Sequence, residues 1–282
     1  MEKIVILAES GSDVNEELAK QYDVTIVPMH VQFGEETLDD GSFPVEKIVK
    51  YYRDTNKLPK TSGSTPGDFE TVLDELHAKY PEAHILYLAY SAVTTCSYQS
   101  CVIASQDRDY ITMLDTKQVS LGQGAIVMQV AKKLQENPDI TIDELVAYAK
   151  ELMDTAHMCF LPDDLEFLRA GGRVSNAAYM GAKILNLHPV IEIIDGKLTA
   201  TKKYRGKLSR VVCKMLKEYT EQYGFKKSCL WVIHTLDLSN EVKEALNATA
   251  KELGYESTVW VQANGVITTH AGPSAVGFVG FN

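Results

Sequence analysis

The sequence predicts an α/β protein of two domains: an N-terminal one over residues 1–158, with a mostly parallel sheet flanked by helices, and a C-terminal α+β domain over residues 159–282. Three observations lead there. The chain has 282 residues, and domains commonly run to roughly 100–200 residues each. Through the first half, short apolar runs alternate with helix-period stretches, the rhythm of a parallel sheet with helices on its faces. Past the middle the pattern shifts to an extended hairpin followed by strand and helix segments, which suits a separate α+β domain with its boundary near residue 158.

Each element has its own signal. "KIVILAES" at the start is a short apolar run, better suited to a buried strand than to a signal peptide. "DVNEELAKQY" follows as a helix with Asp13 at its N-cap and acidic residues in its first turn. "DVTIVPMHVQF" is the next strand, and its proline argues for a bend or an edge position. Val45, Ile48, Val49 and Tyr52 fall at helical spacing. The loop "KTSGSTPGDF" leads into a helix, then come the strand "HILYLAY", the helix "SYQSCVIASQD" and the strand "DYITMLDT". In "GQGAIVMQVAKKL" one apolar stripe packs a helix on a sheet. Its Gly122 and Gly124 lack the third glycine of a dinucleotide-binding turn and read as residues that open the helix. Thr141 and Glu144 form a capping box for the helix "TIDELVAYAKELMDTA".

In the second half "HPVIEIIDGKLTATKKYRG" is two extended runs joined at Asp195-Gly196, the preference of a tight hairpin. An amphipathic helix with Val211, Val212, Met215, Leu216 and Tyr219 comes next. It is followed by the strand "SCLWVIHTL", a helix from 240 to 253, the strand "STVWVQA" and a glycine-rich ending.

Composition removes several classes of function. Hydrophobic residues make up 45% of the chain and charged ones 23%, ordinary for a soluble globular protein with enough material for a core in each domain. A net charge of −10 opposes nucleic acid, which needs a clustered basic surface. No segment reaches the roughly 18 apolar residues of a membrane span. The five cysteines, Cys96, Cys101, Cys159, Cys213 and Cys229, form no CxxC pair. They fit core packing in a reduced, cytoplasmic compartment. His30, His84 and His234 sit inside strand-like runs as core or surface residues, and no HExxH, GxSxG or phosphate-loop motif occurs. No metal or cofactor is expected.

What stands out is a set of hydroxyl- and glycine-rich loops. Thr61, Ser62, Ser64 and Thr65 precede a helix N-terminus, where unsatisfied backbone N–H groups favour an anion. One hydroxyl serves as a cap, and four exceed that need. A second hydroxyl cluster, "SAVTTCSYQS", again lies between a strand and a helix, so two such loops could converge on one small anionic group. "FLRAGGRVS" offers Gly171 and Gly172 beside the fixed cation of Arg173, and "THAGPSAVGF" places His270 beside a flexible turn. Either could also be plain turn chemistry.

Taken in order, TSxxxPGDF from 61, SYQS from 97, LRAGGRVS from 168 and HAGPSAVGF from 270 resemble the bacterial DegV family, the fatty-acid-binding components of fatty acid kinase. The resemblance implies a fatty acid carrier with its lipid tunnel between two domains. The carboxyl group would be presented to a separate ATP-dependent kinase subunit, which makes acyl-phosphate for phospholipid synthesis. It places Thr61 on the ligand carboxyl with Ser62 in support, Ser91 as the second hydroxyl, Arg173 and His270 around the carboxyl end, and Arg205 on the kinase-facing surface. The chain departs from the family pattern at Glu9-Ser10, where the family commonly has Asp-Ser, and at Ser64, where proline is usual. It departs again at Ala92, in place of the second serine of a pair, so that Thr94 and Thr95 join Ser91 as candidates. A different reading makes Thr61 or Ser91 a nucleophile and His270 its base in a lipid esterase, and a third changes the cargo to another amphipathic lipid.

Overall fold

A computed structural model describes residues 3–172 and 187–282. The chain divides into two compact units. The first comprises Met1–Phe43, Thr61–Asp154 and the turn Asp195–Lys197, and the second Pro44–Lys60, Thr155–Ile194 and Leu198–Asn282.

The first unit is built on a four-stranded sheet in the order β2 (Val24–Val27), β1 (Ile4–Glu9), β6 (His84–Ala89), β7 (Ile111–Asp115), with every neighbouring pair parallel. All six residues of β1 are buried, as expected of a strand covered on both faces, which is why it reads as a continuous apolar run. Val5 and Leu7 join Phe69, Leu73, Ile85, Tyr87 and Cys101 in one core cluster, with side chains from the helices Pro66–Lys79 and Ser97–Ala104. The helix Ser120–Glu136 contributes a second apolar face, from Leu121 to Ala131. Burial pushes the Cys101 thiol up to about 12, so it stays protonated as a core residue. A smaller sheet runs β4 (Glu36–Asp39), β3 (His30–Phe33), β5 (Lys60–Ser62).

Several local expectations are corrected. The run "DVTIVPMHVQF" is two strands in two different sheets, because Pro28 between them has no N–H to donate to a ladder. The helix Glu16–Tyr22 is capped by Asn15, whose side chain accepts from Leu18 N at 2.9 Å. Asp13 instead sits at φ 61° after a 3-10 turn, and its carboxylate accepts from Ser120 Oγ at 2.5 Å. Strands β4 and β5 lie in stretches too polar to carry an alternating signal. Not every cysteine is core: Cys96 is exposed and Cys213 and Cys229 are half-buried.

The second unit contains a six-stranded sheet, β10 (Lys197–Tyr204), β9 (His188–Ile194), β8 (Ala156–Leu161), β13 (Val276–Phe281), β11 (Leu230–His234), β12 (Thr258–Gln262). Its central pairs are antiparallel and β11–β12 is parallel. Strand β8 follows directly on the helix Ile142–Thr155, where the sequence predicted helix through residue 156. The β9–β10 hairpin turns at Asp195 (φ 49°) and Gly196 (φ 77°), both left-handed as a two-residue turn of this hand requires. The helices Leu208–Tyr223 and Asn240–Glu252 bring Val212, Met215, Leu216, Leu246 and Ala250 into a core with Val232 and Phe278.

Residues 44–60, which the sequence pattern groups with the N-terminal half, fall in the second unit. The reason is aromatic: the Tyr52 ring lies 5.2 Å from that of Phe167, and its hydroxyl donates to Glu166 at 3.2 Å.

Candidate functional site at the carboxyl edge of the parallel sheet

Because the four strands of the main sheet are parallel, their carboxyl ends share one edge, the usual ligand-binding edge of an open α/β sheet. Here the turn after β1, the loop after β6 and the loop after β7 gather an unusual set of buried polar groups: Glu9, Ser12, Asp13, Ser91, Gln118 and Gln123. Glu9 is fully buried. Its carboxylate accepts from the Tyr87 hydroxyl at 2.5 Å, Gln123 Nε2 at 2.7 Å and Tyr90 N at 3.1 Å. Burial raises its pKa above the usual glutamate value, and these hydrogen bonds oppose the rise only in part. Glu9 thereby ties the end of β1 to the start of the loop that carries Ser91, Thr94 and Thr95. Sequence reasoning missed this cluster, and the one signal available was an acidic residue closing an otherwise apolar buried strand.

The two hydroxyl loops of the first unit meet. A Cβ placed on Gly63 would lie 2.3 Å from Thr95 Oγ1 and 2.6 Å from Ser97 Oγ, so the chain at 63 passes directly over the 95–97 turn. Ser64 N donates to Ser97 Oγ at 3.1 Å, and Thr95 Oγ1 and Ser97 Oγ stand 3.2 Å apart. Thr61 is half-buried in β5 and Ser62 is exposed beside it.

The loop is held from its other end by Thr65. Its side chain caps the helix Pro66–Lys79 in a reciprocal box with Asp68. Partial burial pushes the Asp68 carboxyl up, but hydrogen bonds from Thr65 and His30 outweigh it and leave the pKa below the usual aspartate value. His30, expected to be an ordinary strand histidine, bridges two carboxylates, with Nε2 2.8 Å from Asp68 and Nδ1 3.0 Å from Asp39.

Ser91 is fully buried and donates to Gly196 O at 2.8 Å, the 195–197 turn belonging to this same unit. Thr94 is half-buried, with its hydroxyl donating to Ser91 O at 2.9 Å.

In the second unit the other two motifs meet each other. A Cβ on Gly171 would lie 2.3 Å from His270 Nδ1, and one on Gly272 would lie 2.7 Å from the Phe167 ring. His270 itself is half-buried in the last turn of the helix Gly265–Ala271. Arg173 lies outside the described residues. Arg205 is exposed just beyond β10. It belongs to a run that also holds Lys202, Lys203, Lys207, Arg210, Lys214 and Lys217, a basic concentration in a chain of net charge −10. Among the described residues no group of three or more His, Cys, Asp or Glu side chains could hold a metal ion, and no helix is long and apolar enough to cross a membrane.

Comparison with known proteins converges on one family. A family model described as DegV matches residues 3–281. A DegV domain-containing protein of Caldanaerobacter subterraneus is 29% identical over 284 residues, covering 98% of each chain. A protein of Thermotoga maritima named as fatty acid-binding is 29% identical over 289 residues, covering 98% of this chain and 96% of that one. Among solved structures, a DegV family protein from Thermus thermophilus described as fatty acid binding superposes with a TM-score of 0.87 at 25% identity, over 99% of both chains. With the family model spanning nearly the full length and the fold shared across it, the chain belongs to the DegV family.

Proposed function

We propose that this chain binds a long-chain fatty acid, holding its carboxyl group at the hydroxyl loops 61–65 and 91–97 and keeping its acyl tail out of water. The observation that carries this reading is the meeting of those loops: the backbone at Gly63 lies against Thr95 and Ser97. That places several short hydroxyls around one spot at the carboxyl edge of the sheet. Relatives from Thermus thermophilus and Thermotoga maritima, described as fatty acid binding, support the choice of ligand.

The physical chemistry is consistent. About 15 buried methylenes at roughly 0.8 kcal/mol each contribute on the order of 12 kcal/mol, ample even after the ordering of the tail is subtracted. A carboxyl group taken out of water without partners costs several kcal/mol, which is the reason to surround it with donors. Thr61 is the first of these donors and Ser62 its support, with the second hydroxyl coming from Ser91, Thr94 or Thr95. No general base is needed, so the chain is a binding component. Phosphoryl transfer to the bound acid belongs to an ATP-dependent kinase subunit that docks against the surface carrying the exposed Arg205, yielding acyl-phosphate for phospholipid synthesis in the cytoplasm.

Mass spectrometry of the purified protein, native and after organic extraction, tests the reading. One fatty acid per chain is the expected result. A ligand-free mass that persists after incubation with a panel of fatty acids would overturn it.

A further inference from the structure

We infer that Thr95, oriented by Ser97, is the second hydroxyl that donates to the ligand carboxylate; this rests on the fatty-acid reading above. A hydroxyl carries one proton and two lone pairs, whereas a carboxylate only accepts. A hydroxyl that binds a carboxylate must therefore have its proton uncommitted, and the three candidates differ in this respect.

The Ser91 proton goes to Gly196 O at 2.8 Å and the Thr94 proton to Ser91 O at 2.9 Å. Thr95 Oγ1 accepts from Ser97 N at 3.4 Å and stands 3.2 Å from Ser97 Oγ, a contact in which either hydroxyl can be the donor. Burial decides the direction. Ser97 is fully buried and its Oγ already accepts from Ser64 N. If Thr95 donated to it, the Ser97 proton would be sealed in without an acceptor, an unfavourable state for a buried donor. Thr95 is half-buried. With Ser97 donating, both Thr95 lone pairs are engaged and its own proton has no acceptor among these contacts.

A second observation marks the same place. The Ser64 hydroxyl, fully buried and joined to Ser97 through its own amide, has no hydrogen-bond partner among the described residues. Ser97 is thus a positioning residue and Thr95 a ligand contact, and the position left without a hydroxyl at Ala92 is compensated three residues later.

The test measures affinity for lauric acid and for methyl laurate by calorimetry in the wild type and in Thr95→Val, Thr95→Ser, Thr94→Val and Ser97→Ala. Thr95→Val is expected to weaken acid binding by about tenfold or more, the effect of losing one hydrogen bond to a charged group, and to leave the ester unchanged. Thr95→Ser should keep the wild-type acid-to-ester ratio, Thr94→Val should be neutral, and Ser97→Ala should reduce the ratio. If Ser97→Ala fails to fold, the two Thr95 variants decide alone. A wild-type ratio in Thr95→Val overturns the inference and leaves the fatty-acid reading standing. A wild type that binds acid and ester equally removes the carboxyl site itself, and the inference with it.

Discussion

Replacing Gly63 by alanine tests the meeting of the two hydroxyl loops directly. The new Cβ would stand 2.3 Å from Thr95 Oγ1, 2.6 Å from Ser97 Oγ and 3.3 Å from Cys96 Sγ. The first two separations are far inside van der Waals contact. Gly63 is not among the residues with positive φ, so alanine suffers no backbone strain and the effect is steric alone. Thr95 and Ser97 are short side chains, unable to swing away as the end of a lysine could, so the loop must shift and the Ser64 N to Ser97 Oγ bond must stretch. Overpacking of this kind costs about 1–3 kcal/mol. With an m-value of about 2 kcal/mol/M in urea, the unfolding midpoint followed by far-UV circular dichroism should fall by roughly 0.5–1.5 M. Gly67→Ala is the control, because its Cβ would meet only Thr65 Oγ1, at 3.8 Å. In the first turn of a helix it should be neutral or stabilising by up to about 1 kcal/mol. The double variant Gly63→Ala/Thr95→Ala should recover part of the loss, since the two sites are in contact and their effects are coupled. An unchanged midpoint in Gly63→Ala, or strict additivity in the double variant, would refute the packing of the two loops.

Thr61→Val removes a hydroxyl at nearly constant volume. It should weaken fatty acid binding by about tenfold while leaving the urea midpoint close to wild type, and unchanged affinity would take Thr61 out of the site. Burial raises the Glu9 pKa above its ordinary value of 4.5, so the folded form holds the proton more tightly than the unfolded chain. Its contribution to stability is complete below that ordinary value and is lost as pH rises through the folded one. The stability of the wild type minus that of Glu9→Gln should therefore decline with increasing pH above about 4.5 in thermal melts, whereas parallel pH profiles would contradict the buried carboxyl. If a kinase subunit acts on the bound acid as proposed, Arg205→Ala should leave fatty acid affinity unchanged and slow that phosphorylation. Impaired binding of the acid itself would show that Arg205 belongs to the ligand site.

Much of the architecture was legible along the chain. The parallel sheet announced itself in "KIVILAES" and "HILYLAY", because strands covered on both faces are apolar at nearly every position; "DYITMLDT", at the half-buried edge of the sheet, gave a weaker signal. The hairpin announced itself in Asp195-Gly196, because two successive left-handed residues suit few side chains. The motif from 61 and the hydroxyl cluster from 91 could likewise be recognised as loops between regular elements, since Thr, Ser and Gly compete with the backbone for hydrogen bonds there. Strand β8 was not legible, because its residues continue the apolar spacing of the helix before it, and only pairing with β13 and β9 makes it a strand.

The sequence by itself determined which residues are small, hydroxylated or charged, and hence which loops could hold an anion. Tertiary structure decided which hydroxyl protons remain available. Glu9 finds Tyr87 and Gln123 at sequence separations of 78 and 114 residues, and Ser91 finds Gly196 at 105. No local pattern encodes such partners, because a hydrogen bond depends on where two distant backbones pass each other. The commitment of the Ser91 proton to Gly196 is a consequence of that packing, whereas the contact of Thr94 with Ser91 O spans only three residues.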